Sequence, residues 1–413
     1  MKRRHLRLMF VFAAVFSLFM AGCAKKPETP AKAEGKVVKM ALLVDSGATH
    51  GPEVTAAAKF AIRNVSREMT LDVRDISIDL EVMDTHGLAS DAYLALKDLK
   101  FREYDGLVGP GTDDEIAAVK GIVNKLGIVT FCYGGGSIAH GTEADRIYRV
   151  NPSVDHVGTM LSQVLRKEGS ENAVCLVSED YYDESAFKFF SENFTDEEGL
   201  NVYKVSLDSP SPLEEASRAV ERYMEQDGED SVSVIAFCGD RIRDVMHGAT
   251  GHAPLSRVRW YGTDNNVMDS RLSSSERAAA FASKVGFKAP QSAFFPVNEE
   301  CKALFGHVKK VTGKTPTYRS AYAYDATYAL AKALVMTVDE KYPSKRQKRL
   351  EAVCAGMPGT TGFLDLNSDG DRAVGYYSMY TLRKGSSGYY WQRLYNLATT
   401  DIGAVVVEEY PTR

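Results

Sequence analysis

"DGLVGPGTDDEIAAV", residues 105–119, is the stretch that decides the fold. A short apolar run at Leu107 and Val108 meets Gly109-Pro110-Gly111, and a helical pattern begins at once. This is the strand–turn–helix junction of an α/β unit, where dinucleotide folds place G-x-G-x-x-G and seat a phosphate on the helix N-terminus. Here Asp114 stands where the third glycine belongs, flanked by Asp113 and Glu115. Like unit charges about 4 Å apart repel by roughly 1–4 kcal/mol in partly solvated settings, which argues against a nucleotide. Acids in a first helical turn have a structural use as well, since they cap free N–H groups and complement the helix dipole.

Outward from this turn, short β-branched runs alternate with helical patterns. Strands are expected at 37–45, 76–84, 106–109, 127–133, 172–179, 201–208, 231–239 and 257–262. Helical stretches fall between them, as at 52–68, 90–100, 113–126, 183–197 and 212–226. Most of the strands are apolar almost throughout, as parallel strands covered on both faces are. The β-α-β-α order predicts doubly wound α/β units, in two sets of about four. Near 320 the rhythm changes to one long helix, "RSAYAYDATYALAKALVMTVDE" (319–340). Runs at 362–367, 373–383 and 389–397 then predict a three-stranded antiparallel end. Ligands of open α/β sheets sit beyond the C-terminal ends of the strands. That singles out the turns at 46–51, 109–114, 133–137, 179–184, 238–241 and 262–266.

At the other extreme of the chain, Lys2, Arg3, Arg4 and Arg7 precede an apolar run from Leu8 to Ala21. The run is shorter than the roughly 20 residues of a membrane span and reads as an export signal over 1–22. It closes on Met20-Ala21-Gly22-Cys23, which resembles a bacterial lipobox with Met20 in place of the usual leucine. Cys23 is the expected lipid attachment site, and residues 23–36, rich in Pro, Ala and Lys, form a flexible tether. Roughly 375 residues follow, too many for one core and enough for two lobes. The net charge of −5 is spread along the chain, with no basic stripe for nucleic acid. Cys132, Cys175 and Cys238 fall in apolar runs and read as buried thiols. Cys301 and Cys354 are the pair considered for a disulfide in an oxidising envelope.

Six short motifs in order resemble the branched-chain amino acid (Leu/Ile/Val) type of periplasmic binding protein, the type 1 fold that receives solutes for ABC importers. "GPGTDDEIAAV" is similar to the family's Gly-Pro-x-x-Ser loop, "YGGGS" (133–137) to its second small-residue loop, and "EDYYDES" (179–185) to its Tyr-Gly element. "YGTDNN" (261–266), "YAYDATYALAKAL" (322–334) and "TTGFLDLNSDGDR" (360–372) match a Gly-x-Asp/Glu turn, a Tyr-Asp-Ala helix and a hairpin near the C-terminus. The resemblance implies two doubly wound lobes joined by three hinge crossings. Lobe 1 would be 37–155 plus 287–357, and lobe 2 would be 156–286 plus 358–413. It also implies ligand contacts at His50, Asp113 and Ser137 in lobe 1, and at Tyr182, Asp240 and Asp264 in lobe 2. Thr112 supplies a hydroxyl if the first loop aligns one residue earlier. Asp264 would grip an ammonium, and Asp113 departs most, because the family has a hydroxyl there for the ligand carboxylate. If Asp113 and Asp264 both face the cleft, the ligand is more cationic or donor-rich than leucine.

Other signals carry less. "DLNSDGD" (365–371) places Asp365, Asn367, Asp369 and Gly370 as in a calcium loop, but Tyr376 stands where the chelating Glu belongs. "GHVKKVTGKT" (306–315) has six residues between its glycines where a phosphate loop needs four. No G-x-S-x-G, H-E-x-x-H or C-x-x-C occurs, although a triad is defined by geometry and not by motif. The expectation is a monomeric, lipid-anchored solute-binding protein of the cell envelope, with neither cofactor nor metal. It closes by hinge motion on an amino acid or amide/amine-like ligand and serves an ABC permease and its ATPase. A sensor of the same fold is the first alternative, and an envelope enzyme using Asp113 and Asp264 the second.

Overall fold

A computed structural model describes residues 35–70, 75–97, 103–136, 146–196, 198–292, 298–400 and 403–409. The signal, Cys23, most of the tether and Ser137 lie outside the described residues. Strands β1 (Lys36–Val44), β2 (Ile76–Asp84), β3 (Gly106–Val108), β4 (Val129–Cys132) and β5 (Ile147–Arg149) form one parallel sheet in the order β2-β1-β3-β4-β5. Strands β3 and β4 are buried along their whole length, while β2 alternates as an edge strand does. Helices α1 (Gly51–Thr70), α2 (Ala89–Lys97) and α3 (Asp113–Leu126) cover its two faces, which carry separate hydrophobic clusters.

The chain leaves this sheet after Arg149 and enters α4 (Val154–Lys167), whose apolar face belongs to a different core. Next come β6 (Asn172–Val177), α5 (Tyr181–Phe194), β7 (Asn201–Ser206), α6 (Pro212–Asp227), β8 (Val232–Phe237) and α7 (Ile242–Ala249). Strand β9 (Arg259–Gly262), the short α8 (Ser270–Ser274), α9 (Glu276–Lys284) and β10 (Lys288–Ser292) complete the series. In the second sheet β7-β6-β8-β9-β10 repeat the parallel order of the first, again with a cluster on each face. The chain then returns to the first core through α10 (Glu299–Thr312), α11 (Tyr318–Met336) and α12 (Pro343–Cys354).

Helix α11 is buried all round because it packs inside that core. Alanines at 321, 323, 326, 329, 331 and 333 keep its girth small, and Ala56, Ala57, Ala58 and Ala61 of α1 do the same on the facing helix. A third passage leads to β13 (Gly375–Gly385), β14 (Gly388–Thr400) and β15 (Gly403–Glu409), which extend the second sheet antiparallel from β10.

Three expectations are corrected here. Strand β10 pairs with β9 and β13, so the return to lobe 1 comes after 292 and not at 287. The run at 362–367 joins no antiparallel end. Instead β11 (Pro358–Gly359) and β12 (Gly362–Phe363) form a two-residue ribbon on α11, tied to Asp325, so this segment packs with lobe 1 and not lobe 2. The third antiparallel strand is β15. Cys301 and Cys354, like Cys132, Cys175 and Cys238, are buried free thiols.

The first and third passages are fastened together where the lobes meet. Arg149 at the end of β5 forms a buried ion pair with Asp371, and its N–H donates to the Gly370 carbonyl at 3.0 Å. Next to it the Arg372 guanidinium, also buried, donates to the Val150 carbonyl at 3.1 Å, the Thr361 hydroxyl at 2.7 Å and the Phe363 carbonyl at 2.9 Å. Buried charges persist when they are paired or richly hydrogen-bonded: Arg149 has the Asp371 carboxylate, and Arg372 has carbonyl and hydroxyl acceptors.

Candidate functional site

The turns after β1, β3 and β4 line the end of lobe 1 that faces lobe 2. Thr112 caps α3: its hydroxyl accepts from the Glu115 N–H at 3.4 Å and donates to the Glu115 carboxylate at 2.7 Å. The hydroxyl thus caps the helix, and its proton, which a ligand would need, is already given to Glu115. Asp113 turns toward the neighbouring loop, where it accepts from the Gly136 N–H at 3.3 Å. A Cβ on Gly134 would lie 2.1 Å from the Gly111 carbonyl oxygen, so the two loops pack backbone to backbone. Both side chains that the sequence offered from the first loop therefore have partners within lobe 1. His50, half-buried after β1, has its pKa lowered by burial and by the charge of Arg319.

Lobe 2 meets these loops with Tyr182, in the first turn of α5. A Cβ on Gly136 would lie 3.7 Å from Tyr182 Cε2, so the ring bridges the two lobes. The Tyr182 hydroxyl donates to Asp264, in the turn after β9. Burial raises the Asp264 pKa, opposed by the Tyr182 hydrogen bond and the Arg319 charge. Asp240 stands apart: its side chain is 90% exposed and pairs with Arg271 at 3.1 Å. The structure thus brings Tyr182 and Asp264 together, with His50 and Asp264 both in the field of Arg319, and leaves Asp240 at the rim.

Three further groups around Asp264 carried no usable signal in the sequence. Arg319 is the second residue of α11, half-buried, and sets its guanidinium 5.5 Å from the Tyr318 ring centre. Tyr377, fully buried at the start of β13, has a hydroxyl with no hydrogen-bond partner. Asp183, behind Tyr182, is fully buried with neither carboxylate oxygen hydrogen-bonded. The backbone places it there because Asp180 caps α5 by accepting from the Asp183 N–H at 2.9 Å.

Burial, and then Asp180 beside it, push the Asp183 carboxyl up to about 9. An unfolded aspartate titrates near 4, so between about pH 4 and 9 the native state holds a proton that the unfolded state has lost. The stabilising contribution is complete below this window and declines as pH rises through it. Asp183→Asn, which cannot ionise, is expected to stabilise the protein by about 1–3 kcal/mol at pH 8, with the gain shrinking toward pH 5. Urea unfolding of both proteins at several pH values checks this, and a difference that stays flat with pH would count against it.

Among the described residues no cluster of His, Cys, Asp or Glu is arranged to hold a metal, and no helix is long and apolar enough to cross a membrane. The family model "Receptor family ligand binding region" matches residues 53–384. No curated protein sequence matches significantly. Among solved structures, an ABC transporter substrate-binding protein from Desulfitobacterium hafniense in complex with Leu superposes with a TM-score of 0.67 at 14% identity. That match covers 86% of this chain and 100% of that one. LivJ, the branched-chain amino acid transporter substrate-binding protein of Streptococcus pneumoniae, in complex with isoleucine, gives 0.61 at 16%, over 90% and 100%. A solute-binding protein of an ABC transporter from Rhodopseudomonas palustris BisB5, in complex with 3,4-dihydroxy benzoic acid, gives 0.62 at 16%, over 91% and 99%.

Proposed function

Because this chain belongs to the receptor family ligand binding region, in the type 1 periplasmic binding fold, we propose that it captures an amino-acid-like solute between its lobes. The observation that carries the proposal is the set of groups around Asp264. Tyr182 reaches across to lobe 1, while Tyr377 and Asp183 have buried polar atoms without partners. Buried polar groups in folded proteins are normally satisfied, and the Tyr182–Asp264 pair, set where the two lobes meet, is where a polar solute would add partners. Capture is a population shift toward a closed state in which both lobes touch the ligand. Delivery to an ABC permease and its ATPase, anchorage through Cys23 on the outer side of a membrane, and action as a monomer complete the proposal.

A thermal-shift screen of the purified protein against amino acids, amines, amides and benzoate tests it. A ligand at one hundred times its dissociation constant adds about 2.7 kcal/mol, which raises the melting temperature by roughly 5 °C or more. An amino acid bound without turnover is the expected result. Conversion of the bound compound would favour an enzyme, and no shift with any of them would remove the capture reading.

A further inference from the structure

Residues 341–349, "KYPSKRQKR", hold five cations and no acid in a chain whose net charge is −5. They lead into α12, and no acid stands in its first turn. The helix dipole disfavours cations at that end, so the stability of the helix does not account for them. Two of the five are used within the fold: Lys345 pairs with Glu340 at 2.9 Å, and Arg346 with Asp105 at 2.9 Å. Lys341, Lys348 and Arg349 are exposed, and none has a carboxylate partner among the described residues. Apolar groups are exposed beside them. The Tyr342 ring is 65% exposed with the Lys345 Nζ 5.3 Å from its centre, and Met336, at the end of α11, is 48% exposed. Met336, Lys345, Lys348 and Arg349 share an open depression of about 470 Å³, whose acids, Asp339 and Glu340, are already paired with Lys36 and Lys345.

Those pairs fix the place of the patch in the fold. Asp105 directly precedes β3 and Lys36 begins β1, so α12 starts at the end of lobe 1 opposite the turns that face lobe 2. Lys36 is also where the tether meets the fold, thirteen residues beyond Cys23. Fully extended, that stretch reaches at most about 45 Å, so a lipid on Cys23 keeps this end of lobe 1 near the bilayer.

We propose that the start of α12 is a docking surface for a bilayer rich in anionic phospholipid, with Lys341, Lys348 and Arg349 on the headgroup phosphates and Tyr342 in the headgroup layer. This rests on the anchorage reading above and adds the surface and the orientation that go with it. A lipid sets the distance from the bilayer but leaves the body free to turn, and a basic patch beside the tether decides which side faces the surface. Each Lys or Arg near an anionic bilayer strengthens binding about fivefold. Tyrosine suits such an interface because its ring is apolar and its hydroxyl wet. With lobe 1 seated this way, the turns after β1, β3 and β4 point away from the lipid, and the cleft stands clear of the bilayer.

Co-sedimentation with vesicles of phosphatidylcholine alone, or of equal parts phosphatidylcholine and phosphatidylglycerol, tests this on the chain from residue 23 with Cys23→Ser. That chain contains every described residue of the fold and carries no lipid, so failure of the anchor and failure of the patch are read apart. The expected result is binding to the mixed vesicles alone, lost at about 1 M salt, where the screening length is about 3 Å. Lys341→Gln, Lys348→Gln and Arg349→Gln together should weaken it roughly hundredfold. Lys188→Gln, Arg243→Gln and Lys284→Gln, at three exposed cations of lobe 2, change the net charge equally and should leave it as it is. Melting curves check that both variants are folded. No binding to the mixed vesicles, equal binding to both kinds, or equal behaviour of the two triple variants would overturn the docking surface. Flotation of the protein from cell envelopes, Cys23 intact, with phosphatidylcholine vesicles tests the anchor itself.

Discussion

Asp325→Ala is expected to lower the stability of the protein by about 3–5 kcal/mol, measured by urea unfolding followed by far-UV circular dichroism. Asp325 is fully buried on α11 and accepts four hydrogen bonds from the ribbon at β11–β12. The Thr360 N–H and hydroxyl donate at 2.8 and 2.9 Å, and the Thr361 N–H and hydroxyl at 2.9 and 2.6 Å. Removal of the carboxylate leaves the Thr360 and Thr361 N–H groups and the Thr361 hydroxyl without that acceptor in a place closed to water, while the Thr360 hydroxyl keeps the Ala321 carbonyl at 3.3 Å. Each such orphan costs about 1–3 kcal/mol, less what local relaxation recovers. The Thr361 hydroxyl also accepts from Arg372, so the loss spreads to the contact between lobes. Changing both threonines to valine in the Asp325→Ala background should therefore cost less than the separate effects added together. An Asp325→Ala protein within about 1 kcal/mol of wild type would show that the cluster holds nothing.

The second large effect is expected at Asp371. Arg149 is 1% exposed, and Asp371→Ala leaves its guanidinium buried without its carboxylate, a loss of about 3–5 kcal/mol. The double substitution Arg149→Met, Asp371→Leu removes both charges and keeps the volume. It should recover most of that loss, since buried ion pairs are often replaceable by apolar groups. The same unfolding measurement applies. A double variant as unstable as Asp371→Ala would mean that the site depends on the shape of the pair and not on its charge.

Much of the fold was legible because parallel strands buried on both faces carry long apolar runs. The strand expected at 76–84 coincides with β2, and α3 begins and ends where the pattern at 113–126 places it. What escaped notice has a physical cause. Strand β5 is three residues long and ends in Arg149, which is tolerable inside the protein because Asp371, far along the chain, neutralises it. Strand β10 reads "KAPQS", with Lys, Pro and Gln where an apolar run was sought, and β9 and β13 on either side make it a strand. The site was legible in part. Tyr182 and Asp264 do meet, because each follows the C-terminal end of a parallel strand, β6 and β9, in one sheet. Arg319 gave no sign, since an arginine in the first turn of a helix is ordinary, and its field matters through His50 and Asp264, which are remote in sequence. Asp113 is acidic for a reason that lies within lobe 1, the N–H of Gly136, and no spacing rule reveals a loop-to-loop bond.

The fastening of Arg149 to Asp371 and of Arg372 to Val150 also bears on how the molecule moves. Three separate strings between two bodies permit bending, twisting and sliding. Two of them stitched side by side resist twist and slide, and what remains is rotation about the line of the stitch. In the proposed capture, closure then has a single coordinate, and the distance across the cleft has one value for each angle along it. A joint of this kind acts as a caliper: a solute whose charged ends are spaced too widely props it open at a defined angle, and no lateral adjustment of the lobes makes up the mismatch.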